Sequence, residues 1–422
     1  MSASWRRFLE KAHEGRLRAS SFILRSMTRR NLRIGGRLRE LFGASLVTPG
    51  MKEVAPQRGH DPQSGWSISP FPARRRFAFT IVHDADSAYS RRLEPLFEVF
   101  DELGFKITVT VFPLWADWAR DGDIWRAWNE RDDDGGFFAP QAVPLMDEKE
   151  REFYKRLAAR GHEIGMHTPS ETSSTREDVI RAFEYFREVL GGYPRVYTEH
   201  SVDTKRDAQA KEGSRPDSAH YNTDLLNSYG PWVWVDDDCG VPDNRHDRFY
   251  DILALNGSPF NTLAAQRYGI NKGFLRTGKW READGDGFLA WYSEENIDSL
   301  EENRGLALVY MHLDAKWIDS RTRKMRRAIK DRLTYLASKN GWFVPAGAIL
   351  DRMEAVYALK LYHSDTVLTI VNTGRRAVEE LTIISNQGKS LRRDREIWEP
   401  GRDGEIVVGA IHPRESLSFT IA

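Results

Sequence analysis

The 422-residue sequence has a single cysteine, Cys239. One thiol cannot form an intramolecular disulfide, and it excludes a zinc module built from several cysteines. Net charge is missing too: 62 Lys+Arg balance 62 Asp+Glu. The chain as a whole therefore lacks the positive excess with which nucleic-acid binders hold phosphate, and no nucleic-acid partner is expected. Apolar runs are short, Leu306 to Met311 being typical, far below the ~20 residues that span a bilayer. No G-x-G-x-x-G follows the first apolar run and no G-x-x-x-x-G-K-[ST] occurs, so nucleotide binding loses its usual backbone cradle. Internal repeats and low-complexity tracts are also lacking. What is left is the composition of a folded globular protein, 40% hydrophobic and 29% charged, long enough for about two or three domains.

Neutrality conceals an asymmetry. Residues 1–50 hold eleven Lys/Arg against three acids, a net +8, with Phe8, Leu9, Leu17, Phe22, Ile23, Leu24 and Met27 interleaved. A basic amphipathic helix of this kind can lie on an anionic membrane surface; a solvated arm or a helix docked on the body is the plainer alternative. Arg25 interrupts Ser-Ser-Phe-Ile-Leu, so the sequence predicts no cleavable signal, and a cytoplasmic or membrane-peripheral location. Residues 50–76, rich in Pro and Gly, read as a linker or strap.

Strand–helix alternation follows. Phe77 to Val82, Ile107 to Phe112, Glu163 to Met166, Val196 to Thr198, Trp232 to Val235, Gly287 to Trp291 and Leu306 to Met311 read as strands. Leu93 to Leu103, Lys149 to Arg160, Arg176 to Leu190 and Trp317 to Ser338 read as helices. Residues 117–146, acidic and Trp-bearing, interrupt the rhythm as a functional loop would. Beyond Ala355 the texture changes to short β runs separated by Gly, Asn, Asp and Pro. The expected domains are a basic arm and linker (1–72), an α/β unit built as a (β/α) barrel or doubly wound sheet (73–354), and a small sandwich-like all-β domain (355–422).

In a barrel the chemistry collects where strands end. His83-Asp84-Ala85-Asp86 puts two carboxylates just past the first strand in D-x-D spacing. Extended chain would turn both into one site, one onto a cation and one free as a base; a polar turn is the bland alternative. His167-Thr168-Pro169-Ser170-Glu171 closes the third strand. An i, i+4 imidazole and carboxylate suit Zn²⁺ or a similar divalent ion, yet Thr168 to Glu171 is equally a helix capping box. Tyr310-Met311-His312 ends the late strong strand with an imidazole, which in isolation could simply be packed. His200 and the run Asp236-Asp237-Asp238 follow two more strands; His162, at the far end of its strand, reads as structural.

In order along the chain, these residues resemble the polysaccharide deacetylase family, the NodB-homology or chitooligosaccharide deacetylase-like carbohydrate esterases. The likeness runs from about Arg76 to Met353. It implies a distorted (β/α) barrel of that type, ahead of the β domain, and a metal-dependent hydrolase that removes acyl groups, N-acetyl above all, from a glycan or glycan precursor. By the family pattern Asp84 is the base and His312 the acid, placed on opposite sides of the acyl group. Asp86, His167 and Glu171 hold a divalent metal, zinc by preference, and His83, His200 and Asp236 are candidates for substrate or supporting contacts. This chain departs from the pattern at Glu171, where the family has a second ligand histidine. It also lacks a clean R-x-P-Y motif, and its Asp-Trp motif is blurred into Trp234 to Asp238. Two other readings share these residues: a glycan-binding barrel that has lost its chemistry, and a glycoside hydrolase using carboxylates among Asp84, Asp236 and Glu171.

Overall fold

The structure, a computed structural model, describes residues 52–54 (backbone only), 65–85, 90–116, 143–170, 174–199, 212–234, 267–274 and 283–422. The basic arm, the 117–142 segment, Cys239 and the candidates Asp86, Glu171, His200 and Asp236 lie outside the described residues. Two short strands, β1 (Lys52–Val54) and β2 (Trp66–Ile68), come first. The alternation then runs β3 (Phe77–His83), α1 (Glu94–Glu102), β4 (Thr108–Val111), α2 (Glu148–Ala159), β5 (Glu163–His167), α3 (Arg176–Leu190), β6 (Val196–Thr198), α4 (Thr223–Tyr229) and β7 (Trp232–Trp234). It continues through α5 (Gly285–Trp291), α6 (Glu294–Glu302), β8 (Leu306–Met311), α7 (Arg327–Ala337), β9 (Gly341–Trp342) and α8 (Ala346–Tyr357).

These strands form one parallel sheet, β7-β6-β5-β4-β3-β8, with β9 alongside the start of β3. Beyond β7 a parallel bridge, Val233 to Gly273, carries the arc further. Period-two alternation sorts its side chains. Phe79, Ile81, Val109, Val111, Met166, Val233, Ala307 and Val309 join the core against the helices. Ala78, Val82, Val196, Trp232, Trp234, Leu306 and Leu308 face the other way, where Ile349, Leu350 and Met353 of α8 meet them. A curled parallel sheet, helical on its outside and closed at one end by α8, is the α/β arrangement expected of a distorted barrel.

The closing helix is capped from inside the sheet. Pro345 offers no side-chain cap; instead Ala346 N–H donates to Thr108 Oγ1 and Gly347 N–H to Glu163 Oε2, both at 2.9 Å. A carboxylate at a helix N-terminus also favours the helix dipole. Burial raises the Glu163 pKa, opposed by Arg195 and these hydrogen bonds. Glycine at 347 lets Glu163 approach the helix end, since a Cβ there would stand 2.2 Å from Glu163 Oε1 and displace the carboxylate.

Residues 359–421 are antiparallel: β10 (Leu359–His363), β11 (Val367–Asn372), β12 (Thr382–Ser385), β13 (Leu391–Arg393), β14 (Glu396–Trp398), β15 (Glu405–Val407) and β16 (Ser416–Ile421). They form sheets β1-β10-β11-β16-β13-β14 and β15-β12-β2 around Leu361, Ile370, Ile383, Leu391, Ile406 and Phe419. Thus β1 and β2, which the sequence assigns to the arm and linker, are strands of this β module; their partners lie roughly three hundred residues away, beyond local pattern. Among the described residues no helix is long and apolar enough to cross a membrane.

Two elements differ from the sequence reading. Gly285–Trp291 is a helix, not a strand, because Asp284 caps it by accepting from Asp286 N–H and Gly287 N–H. The helix predicted from Trp317 starts only at Arg327. Asp319 Oδ1 accepts from the Arg321 and Thr322 amides, and an antiparallel bridge joins Ile318 to Met325; such local side-chain bonds compete with a helix.

His162 behaves as a core residue. Ile107 N–H donates to its Nδ1 (3.2 Å), so Nε2–H faces Asp101 Oδ1 (3.1 Å). Burial lowers its pKa from 6.5 to about 4, although Asp101 pulls the other way. The folded state therefore resists a proton that the unfolded chain accepts. Stability is lost as pH falls from about 6.5 to about 4, by up to roughly 3 kcal/mol. Urea denaturation across that window should show a flatter slope for His162→Gln than for wild type; equal slopes would remove His162 from the account.

Candidate active site

Parallel pairing of β3 with β8 sets Val82 against Tyr310 and His83 against Met311. Carried one residue further, the register sets Asp84 beside His312, and Asp84 N–H donates to Met311 O (3.0 Å). On β8 the alternation places Tyr310 on the inner face with Leu306 and Leu308. Its hydroxyl donates to Asp84 Oδ2 at 2.6 Å and lies 2.9 Å from His312 Nε2. With the single hydroxyl proton committed to Asp84, the oxygen accepts from His312 Nε2–H. Asp84 is 3% exposed, and His312 is half-buried.

His167 arrives from β5. Glu163, Gly165 and His167 share the inner face, while Ile164 and Met166 pack with the helices. The His167 imidazole stacks on Phe112 (4.6 Å, 22°), and its Nε2 is 3.0 Å from Asp84 Oδ1. Thr168 then takes φ 36°, a left-handed conformation that strains a β-branched residue. Thr168 N–H donates to Thr198 O, Thr168 Oγ1 donates to Ser170 O, and Leu114 N–H donates to Pro169 O. The capping-box alternative for Thr168 and Glu171 lies partly outside the described residues, since Glu171 is not among them. Helix α3 starts at Arg176, with a capping box on Thr175 and Asp178.

His83, a candidate for substrate or supporting contact, is fully buried with the parity of Phe79 and Ile81, which face the helices. Leu313 N–H donates to its Nδ1 (3.2 Å) and Thr110 Oγ1 to its carbonyl (3.0 Å). Through these bonds it braces the strand ends beside Asp84. The base and acid candidates, Asp84 and His312, meet through one hydroxyl. Tyr310 therefore belongs to the site, and the period-two match to His312 is the signal that points to it. Two buried carboxylates outside the sequence candidates sit at strand ends as well, Glu199 after β6 and Asp314 after β8. Arg91 donates its N–H and guanidinium to buried Glu150, which pins the single helical turn Ser90–Leu93.

Among the described residues no group of three His, Cys, Asp or Glu side chains is arranged to hold a metal ion. Of the expected ligands only His167 is described, and its Nε2 faces Asp84.

No family model matches this chain, and no curated protein matches it by sequence. Among solved structures it is similar to Puue allantoinase, with 13% identity, 68% of this chain and 93% of that one covered, and TM-score 0.37. A probable polysaccharide deacetylase from Pseudomonas aeruginosa PAO1 gives 13% identity, 65% and 89% coverage, and TM-score 0.35. A family 4 acetyl xylan esterase from Clostridium thermocellum gives 15% identity, 56% and 87% coverage, and TM-score 0.25.

Tyr310→Phe should leave the fold intact and cost about 0.5–3 kcal/mol in urea denaturation, since it removes a hydrogen bond to a buried carboxyl group. Met311→Leu, on the opposite face, is the control at under ~1.5 kcal/mol. Equal losses would mean that the hydroxyl does not hold the site together.

Proposed function

We propose that the chain is a hydrolase that removes acyl groups, N-acetyl above all, from a glycan or glycan precursor. The observation that carries this reading is the chain from His312 through Tyr310 to Asp84 at the ends of two paired strands. A carboxylate and an imidazole so linked suit the two proton transfers of amide cleavage, from the attacking water and to the departing amine. Asp84 would take the first proton, with Tyr310 and His167 fixing both of its oxygens. His312, carrying a proton on each ring nitrogen, would deliver the Nε2 proton to the substrate nitrogen in place of Tyr310 and be left neutral, while Tyr310 keeps Asp84 in place. Strain at Thr168 supports the reading, since such conformations cluster at working sites.

Asp86, His167 and Glu171 would hold a divalent cation, zinc by the chemistry of the donor set, at the cost of the His167–Asp84 contact if Nε2 is the ligating atom. When bound, such an ion supplies polarisation of the acyl oxygen and acidification of water. The acylated carbohydrate is then the partner, and contact of the basic arm with an anionic membrane surface is a separate proposal.

Metal content and acetate release from N-acetylated oligosaccharides test the assignment together. Wild type should carry a divalent ion and lose activity to a chelator. Asp86→Ala should lose both, and Asp84→Asn should keep the metal while its rate falls ~10²–10⁴-fold. A metal-free wild type that binds glycans without deacylating them would favour the glycan-binding reading; chelator-insensitive release of new reducing ends without acetate would favour a glycoside hydrolase.

A further inference from the structure

The β module holds a cavity of about 510 Å³ that the reading above does not use. Its volume falls within the ~300–1,000 Å³ of small-ligand pockets. It lies at the open edge of the larger sheet, where β14 is the last strand. There the hairpin register sets Leu391 against Trp398 and Arg393 against Glu396. Leu391 is buried in the module core, so the outer pair, Arg393 and Glu396, continues that face beyond the point where the core ends. Half-buried Trp398 and buried Phe419 form the floor, edge to face at 5.5 Å and 88°, and Val408 contributes from the opposing sheet.

Around this aromatic floor stand the exposed side chains of Arg393, Asp394, Arg395 and Glu396. None of the four makes an ion pair or side-chain hydrogen bond among the described residues, although two cations and two anions are available to one another. Asp394 adopts φ 55° in the two-residue turn, which fixes where these groups fan out. Planar guanidinium and carboxylate groups each offer two parallel hydrogen-bonding positions, the spacing that vicinal hydroxyls require. An indole supplies an apolar plane for the carbon face of a ring. The balance of charge argues against phosphate, sulfate or another polyanion, which would draw an excess of cations.

We propose that this cavity is a binding subsite for a neutral, polyhydroxylated ligand, a short oligosaccharide segment. The site is separate from the Asp84 centre and does not depend on the deacylation reading. The test uses the full chain with ¹⁵N-labelled tryptophan, the Trp398 indole signal being assigned by Trp398→Phe. Chitotetraose, cellotetraose and xylotetraose are titrated as neutral probes and a heparin tetrasaccharide as the anionic one. At least one neutral probe should shift the Trp398 signal. Arg395→Ala in the turn and Glu396→Ala at the start of β14, both exposed substitutions that leave the core untouched, should each weaken that binding about tenfold or more, while Asp84→Asn leaves it unchanged. A Trp398 signal that no neutral probe moves, a response to heparin alone, or affinity unchanged in both hairpin variants would overturn the proposal. Failure of acetate release would bear on the Asp84 centre alone.

Discussion

Six consecutive residue pairs hold β3 against β8 in parallel register, and the geometry of the candidate site depends on that pairing. A parallel ladder fixes which residues stand side by side, and a slip of one residue would turn every side chain to the other face. With Val82 beside Tyr310, the inner face of β8 ends in a phenol and an imidazole just where β3 ends in a carboxyl group. Apolar residues enforce the register from both sides. Phe79 and Ile81 are fully buried against the helices, and Val82 and Leu308 are buried on the inner face. A slip would drive Tyr310 and Thr80 into the helical core and cost several buried side chains at ~1.5–3 kcal/mol each.

The opposite end of the sheet is closed by α8, and its attachment reaches both the sheet and the β module. Asp351 accepts from Trp232 Nε1 (2.9 Å) and Arg195 (2.6 Å), and pairs with Arg376 of the β module (2.7 Å). Burial alone would raise its pKa, yet the tryptophan and the two guanidinium groups hold it below the usual carboxylate value. Nearby, Arg304 pairs with Glu405 and Arg76 with Asp403. Of these pairs only Arg304–Glu405 is largely buried; the others are partly exposed and align the two units, each of which has its own core, more than they stabilise them.

Much of this organisation is legible in the sequence, because apolar runs bounded by turn residues report strands whatever they pair with. Val196–Thr198, Leu306–Met311 and helix Arg176–Leu190 appear where the pattern places them. What escapes the pattern is information carried by distant partners. The β1 and β2 strands are three residues each and become strands only because β10 and β12 accept them. Gly285 is flattened against the Lys316 carbonyl, where a Cβ would sit 2.2 Å away, so glycine there marks close packing of a helix rather than a turn. At the site, His167, Asp84 and His312 are visible as polar strand ends. Tyr310, by contrast, looks like one more apolar strand residue until the register sets it between them. The outward turn of His83 follows from the same alternation, since adjacent residues on a strand face opposite sides.

Asp84 and His312 act as one unit on this account, joined by the Tyr310 hydroxyl, and the most direct measurement is a double-mutant cycle on acetate release. Groups that work together lose most of their effect when either is removed, so single and double losses should be similar. Asp84→Asn, His312→Ala and the double variant are compared on the same N-acetylated oligosaccharide. The account predicts that the double variant is little slower than the slower single one. Losses that multiply, or a double variant as active as wild type, would contradict it.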